Sequence, residues 1–177
     1  MAEISASFSE AITANYHRCM GPMLFEPFAD DLAARLRVFD GMRVLEVACG
    51  TGIVTQRLLE RLPADSRLVA TDLSEPMLGF ARAHADPDPR RVWKQADVLA
   101  LPFSNASFEA VVCQFGLMFV TDKVAALREM RRVLGAGGQL LFNTWAALAE
   151  NDFSRIAHET TMSFFGRGSA AIFRNPV

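Results

Sequence analysis

The sequence predicts an α/β fold, a mostly parallel sheet with helices on both faces. Three observations carry this reading. Five short runs rich in aliphatic and β-branched residues lie between positions 42 and 145. Segments with helical periodicity separate most of them. Proline or glycine closes those segments where a helix should end. Strands that alternate with helices pair in parallel, because each crossover returns the chain to the same end of the sheet.

Each element follows in order. Residues 1–40 hold two helical patterns, about 8–19 and 27–39, separated by "MGPMLFEP" and read as a cap over the sheet's carboxyl edge. The first strand is "MRVLEVA" (42–48), and the helical run "TQRLLERL" after it stops at Pro63. The second strand is "SRLVATDL" (66–73), followed by "SEPMLGFARAHA" with Ser74 as N-cap and Pro76 in the first turn. "RVWKQADV" (91–98) and "FEAVVCQFGL" (108–117) are the third and fourth strands. "DKVAALREMRRVLGAGG" is a helix that puts Val124, Leu127, Met130 and Leu134 on one face and ends in glycines. "GGQLLFNTW" (137–145) is the fifth strand, and residues 146–177 are less regular. The organisation expected is one domain over 1–177, with a cap at 1–40, a binding core at 41–145 and the start of a C-terminal part at 146–177.

Composition narrows the function. The chain has 177 residues, 51% hydrophobic and 21% charged, with a formal net charge of -2. That is one ordinary folded domain with no basic patch beyond Arg-Arg pairs, so a nucleic-acid partner is not expected. Three scattered cysteines, Cys19, Cys49 and Cys113, form neither a disulfide framework nor a zinc spacing, and fit a reducing, cytoplasmic setting. Cys49 and Cys113 read as small core residues, and no metal site is legible among the histidines His17, His84 and His158. No apolar run approaches membrane-spanning length.

The chemistry gathers around "VLEVACGTGIVT" (44–55). In open parallel sheets, ligands bind beyond the carboxyl ends of the strands. Three acidic residues fall at or near such ends: Glu46, Asp72 and Asp97. Gly50, Thr51 and Gly52 form the turn after the first strand, where glycine lets a ligand approach the backbone. That pattern suits a nucleoside, with Asp72 accepting from ribose hydroxyls and Asp97 from an adenine amino group. A dinucleotide fingerprint would want glycine or alanine where Thr55 stands. A pyrophosphate would also be repelled by Glu46, four residues before Gly50. A cationic ligand suits that carboxylate better.

At this point the sequence resembles the class I S-adenosylmethionine-dependent methyltransferases. The residues that carry the resemblance are "VLEVACGTG", "VATDLSEPML", "KQADVLALPFSNASFEAVVCQFGLMFV" and "ALREMRRVLGAGGQLLFNTW", in the family's order over about 42–145. "LPFSNASFEAVV" and "LREMRRVLGAGGQL" look like the branch with ubiquinone- and menaquinone-biosynthesis enzymes and other small-molecule methyltransferases. The resemblance implies a three-layer Rossmann-like sandwich and S-adenosyl-L-methionine as cofactor. It also implies that Gly50, Thr51 and Gly52 approach the cofactor's methionine part, with Glu46 organising that end. Asp72 would bind the ribose diol and Leu73 and Met77 would pack by the adenine. Ala96, Asp97 and Val98 would meet the adenine edge, and Gln114 would face the methionine and substrate side. "NYHRCMGPMLFEP" resembles the cap that often precedes this fold, with Tyr16 and Met20 closing over the cofactor.

The function expected is therefore methyl transfer to a small-molecule acceptor, with no membrane or nucleic-acid partner. No residue declares itself as a general base, and His17 reads as a solvated histidine. The family's sheet has seven strands, and 146–177 offers one helical stretch and a tail in place of the last two. The resemblance thus implies a chain that lacks those strands and exposes a sheet edge, through which it could self-associate, together with apolar residues such as Phe164, Phe165 and Phe173. The competing readings are a truncated, non-catalytic module for the same cofactor and an NAD-dependent oxidoreductase.

Overall fold

A computed structural model of the chain describes residues 10–165. The chain divides into two compact units, with the division after Asn143. The first opens with helix α1 (Glu10–Asn15), a π-helix (Tyr16–Phe25) and helix α2 (Glu26–Arg35). Strand β1 (Arg43–Val47), helix α3 (Ile53–Arg61), strand β2 (Arg67–Asp72), helix α4 (Glu75–His84) and strand β3 (Arg91–Gln95) follow. Strand β4 (Phe108–Gln114), a 3₁₀ turn (Leu117–Phe119), helix α5 (Lys123–Val133) and strand β5 (Leu134–Asn143) complete it. The second unit holds a 3₁₀ turn (Leu148–Glu150) and helix α6 (Asp152–Phe165), whose first turn is capped by Asn151 Oδ1 accepting from the Ser154 N–H at 3.2 Å.

The five described strands form one sheet in the order β3-β2-β1-β4-β5, and every neighbouring pair is parallel. Successive strands move outward from β1 to β3, and the chain then crosses back to β4 on the other side. The topological switch therefore lies between β1 and β4, where open α/β sheets bind ligands. Because β1 is central, four of its five residues are buried on both faces rather than alternately, and one of the four is the carboxylic acid Glu46. Val44, Leu68, Ala110 and Val112 meet Ala29 and Leu32 of α2 and Leu58 of α3 on one face. Leu45, Val111 and Cys113 meet Ala126, Met130 and Val133 of α5 on the other. The sandwich thus has three layers.

The structure corrects the sequence reading at four places. The stretch "MGPMLFEP" does not separate two helices, because residues 16–25 continue α1 as a π-helix that includes Pro22. The second cap helix ends at Arg35, not near 39, as Leu36 turns to an extended backbone and inserts into the core. Val124 is 57% exposed, and α5 buries Ala126, Met130 and Val133 instead. At about 100° per residue, those three make one stripe and Val124 falls on the opposite side. The glycines after α5 belong to β5: Phe108 pairs with Leu134 and Ala110 with Gln139, so two steps on β4 face five on β5. The surplus loops out through Gly137, whose φ is +73°.

Ser74 caps α4 as expected, its hydroxyl accepting from the Met77 N–H. No described helix is long and apolar enough to cross a membrane. Phe164 is 78% exposed, whereas Phe173 and the Phe165 side chain lie outside the described residues.

Candidate functional site

A cleft of about 240 Å³ opens at the carboxyl ends of β1, β2 and β4. Its floor is the turn after β1. Ala48, Gly50 and Gly52 have φ of +55°, +55° and +87°, so three of five successive residues are left-handed. Glycine adopts that conformation freely, whereas at Ala48 it costs roughly 1–2 kcal/mol. A side chain at Gly52 would also meet the Trp93 ring 3.0 Å away. The turn is pinned from behind by the Cys49 N–H donating to the Thr71 carbonyl (2.9 Å) and the Gly52 N–H to the Cys49 carbonyl (3.0 Å).

Two carboxyl groups stand beside this turn. Glu46 is 1% exposed, and the Thr55 hydroxyl donates to it at 2.6 Å from the first turn of α3. The Thr71 hydroxyl donates to the Glu46 backbone carbonyl at 2.8 Å, tying β1 to β2 at the same level. Loss of hydration pushes the Glu46 carboxyl up to about 8, despite the Thr55 bond that favours its charged form. Asp72 ends β2 and accepts the Gly50 N–H on Oδ2 and the Ser74 N–H on Oδ1, both at 2.8 Å. Burial raises its pKa too, with those backbone donors opposing the rise. Burial also raises both buried thiols, Cys113 to about 12. Neither is a thiolate at neutral pH.

The cleft brings together most of the residues expected from sequence. Glu46, Gly50, Thr51, Asp72 and Leu73 line it, with Met77, Ala96, Asp97, Val98 and Gln114. Asp97 also accepts the Leu99 N–H at 2.9 Å, which fixes the turn after β3. Gly52 is not on the wall: it is the N-cap of α3, and the side on which a Cβ would stand faces Trp93 and Ala81. Met20 is not on the wall either and is 37% exposed on the cap. For Tyr16 only the backbone is described, and its side chain lies outside the described residues.

Sequence reasoning missed the aromatic side of the cleft. Phe25, Phe115 and Phe119 line it, and the Phe25 and Phe115 rings lie 6.0 Å apart. Phe115 holds a φ of +54°, stabilised where Asn143 accepts its N–H through both the backbone carbonyl (3.2 Å) and the side-chain oxygen (3.1 Å). The available signal was the aromatic next to the strand end in "CQFG", which reads equally well as core. Gln114 reaches from the end of β4 to donate to the Phe25 carbonyl at 3.1 Å, so it also anchors the cap. His17 is not a freely solvated histidine: it is half-buried, with Nδ1 3.0 Å from the Thr51 hydroxyl.

Residues 44–138 match the family described as "Methyltransferase domain". The 2-phytyl-1,4-naphtoquinone methyltransferase of Thermosynechococcus vestitus is 38% identical over 104 residues, 59% of this chain and 46% of that protein. The malonyl-[acyl-carrier protein] O-methyltransferase of Hahella chejuensis is 34% identical over 143 residues, 81% of this chain and 50% of the relative. A solved S-adenosylmethionine dependent methyltransferase from Mesorhizobium loti superposes with a TM-score of 0.57 and 31% identity, covering 64% of this chain and 51% of that one. The chain spans about half the length of the curated relatives it matches. With more than half of its own length matched, this chain belongs to the methyltransferase domain family.

Proposed function

We propose that this chain carries the cofactor-binding part of an S-adenosylmethionine-dependent methyltransferase acting on a small-molecule acceptor. The observation that carries the reading is the pairing of Asp72 with the left-handed turn at the switch point. Each Asp72 oxygen accepts one backbone N–H, which leaves lone pairs for the two hydroxyls of a ribose. Glu46 is the second fit. Burial raises the pKa of its carboxyl, and a neighbouring cation would offset that rise and favour the ionised form. An ammonium or sulfonium is such a cation, and a pyrophosphate is not. Thr55 supports the same choice: its hydroxyl is committed to Glu46 where a dinucleotide site wants glycine or alanine.

When bound, the cofactor supplies a methyl group activated on a positively charged sulfur. The protein's task is then to align the acceptor and exclude water. Asp72 and the turn would fix the nucleoside end, and Glu46 the cationic end. Phe25, Phe115 and Phe119 would present an aromatic wall to the acceptor. That wall suits a flat ring, so we assign the acceptor to the quinone class, in line with the naphtoquinone relative. No general base is assigned. Cytoplasmic placement is part of the same proposal, supported by three cysteines that are all free.

Titration calorimetry with S-adenosylhomocysteine tests the cofactor, and NADH serves as the rival ligand. Saturable binding of the first and none of the second is expected; the reverse would overturn the reading in favour of an oxidoreductase. Radiolabelled methyl transfer to a reduced naphthoquinone then tests the acceptor. Binding without transfer to any ring acceptor would favour a non-catalytic module.

A further inference from the structure

The cap over the cleft has an unusual backbone. Residues 16–25 form a ten-residue π-helix, whereas π-helices are rare and normally last a single turn, often at functional sites. Such a segment has little intrinsic preference for its shape and needs outside contacts to keep it. Among the described residues, side-chain hydrogen bonds tie it to the sheet's carboxyl edge near its two ends. At its C-terminal end the Phe25 carbonyl accepts from Gln114. Near its start, His17 Nδ1 meets the Thr51 hydroxyl at 3.0 Å.

The second contact is the informative one. Thr51 is the middle residue of the Gly-Thr-Gly turn, 7% exposed and on the cleft wall. Its neighbour Gly50 donates to Asp72. The His17 ring also packs on Phe80 of α4, centroids 5.2 Å apart. Phe80 in turn stacks on His84 at 3.9 Å. Burial and the nearby His84 lower the His17 pKa, against an opposing pull from Glu26. The imidazole is therefore neutral at neutral pH, which suits a site meant for a cationic ligand.

We infer that His17 is a positioning residue: through Thr51 it holds the glycine-rich turn in shape and seats the cap over the cleft. Its effect on ligand affinity rests on the cofactor reading above; its effect on the turn does not. The test uses the full chain with His17→Phe, His17→Asn, Thr51→Val and the Phe/Val double variant. Phenylalanine keeps the packing on Phe80 and loses the hydrogen bond, while asparagine can present an amide group where Nδ1 stands. Two readouts are taken: amide exchange of residues 17–25 and 50–52 without ligand, and calorimetric affinity for S-adenosylhomocysteine.

His17→Phe should speed exchange in both segments and weaken affinity about fivefold, the effect of one ordinary hydrogen bond. His17→Asn should restore both, and the double variant should be no worse than His17→Phe alone. Unchanged exchange at 50–52 in His17→Phe, or effects of the two substitutions that simply add, would overturn the inference. Should His17→Phe not fold, Thr51→Val carries the same exchange expectation with the imidazole in place. A wild-type chain that binds no S-adenosylhomocysteine would sink the cofactor reading, and the exchange arm would still decide the role of His17.

Discussion

The turn after β1 and the π-helical cap border the same cleft, yet they are held by different physics. The turn is a rigid floor. Its left-handed residues are locked by backbone hydrogen bonds, and buried carboxyl groups back it on two strands. The cap is a lightly fastened roof, with Met23 59% exposed and its two ends tied by His17 and Gln114. Segments with few buried contacts open at low free-energy cost. A floor that must position a ligand can thus stay fixed while the roof above it exchanges.

The largest effect should come from breaking the floor at Asp72. Asp72→Ala removes both acceptors offered to a ribose and leaves the Gly50 and Ser74 N–H groups without their partner. Two hydrogen bonds to a charged group are worth about 3–6 kcal/mol together, so affinity for S-adenosylhomocysteine should fall by about a hundredfold or more. Calorimetry measures this, and an unchanged affinity would remove the ribose assignment.

Next comes the pH dependence of the floor. The folded chain holds the Glu46 proton to about 8, against 4.5 as the ordinary value. The unfolded chain therefore releases it first, and stability falls as pH rises from about 4.5 towards 8. The raised Asp72 pKa acts in the same direction from lower pH. Glu46→Gln is neutral throughout, so its stability advantage over the wild type should grow between pH 5 and 8, by on the order of a few kcal/mol. Urea unfolding at the two pH values checks it; a gap that does not widen would mean that Glu46 is ionised in the free protein.

Two smaller effects sharpen the contrast. A Cβ at Gly116 would lie 2.3 Å from the Ala48 Cβ and 3.1 Å from Cys113 Sγ. Because the floor cannot give, Gly116→Ala should cost about 1–3 kcal/mol in urea unfolding. Adding Ala48→Gly, which removes the clashing methyl and frees the left-handed backbone, should recover most of it. Gln114→Leu unfastens the roof from Phe25. It should cost only about 1 kcal/mol globally, while raising protease cleavage within 16–25. Global loss as large as that of Gly116→Ala would show that roof and floor are one unit.

Much of the floor is legible in the amino-acid sequence. Glu46, Gly50, Asp72 and Ser74 declare themselves through strand ends, turn chemistry and capping, which are rules of a few neighbouring residues. Of the roof, a cap before the first strand is expected from the sequence, but its backbone and its fastening are not legible there. A π-helix has no distinctive residue pattern, and Pro22 within it reads as a break. Periodicity misplaces the buried face of α5 at Val124 because leucine, valine and alanine surround that helix and only packing chooses among them. His17 reads as solvated because its partner stands 34 residues away.

By itself, then, the sequence determined the order of strands and helices, the parallel sheet and the place where chemistry-bearing residues would gather. Those follow from short-range periodicity and from crossovers that have one workable handedness. Tertiary structure alone decided that Thr55 reaches Glu46, that Asp72 holds Gly50 and that His17 meets Thr51. It also decided the protonation of Glu46, because desolvation depends on everything packed around a carboxyl rather than on its neighbours in the chain.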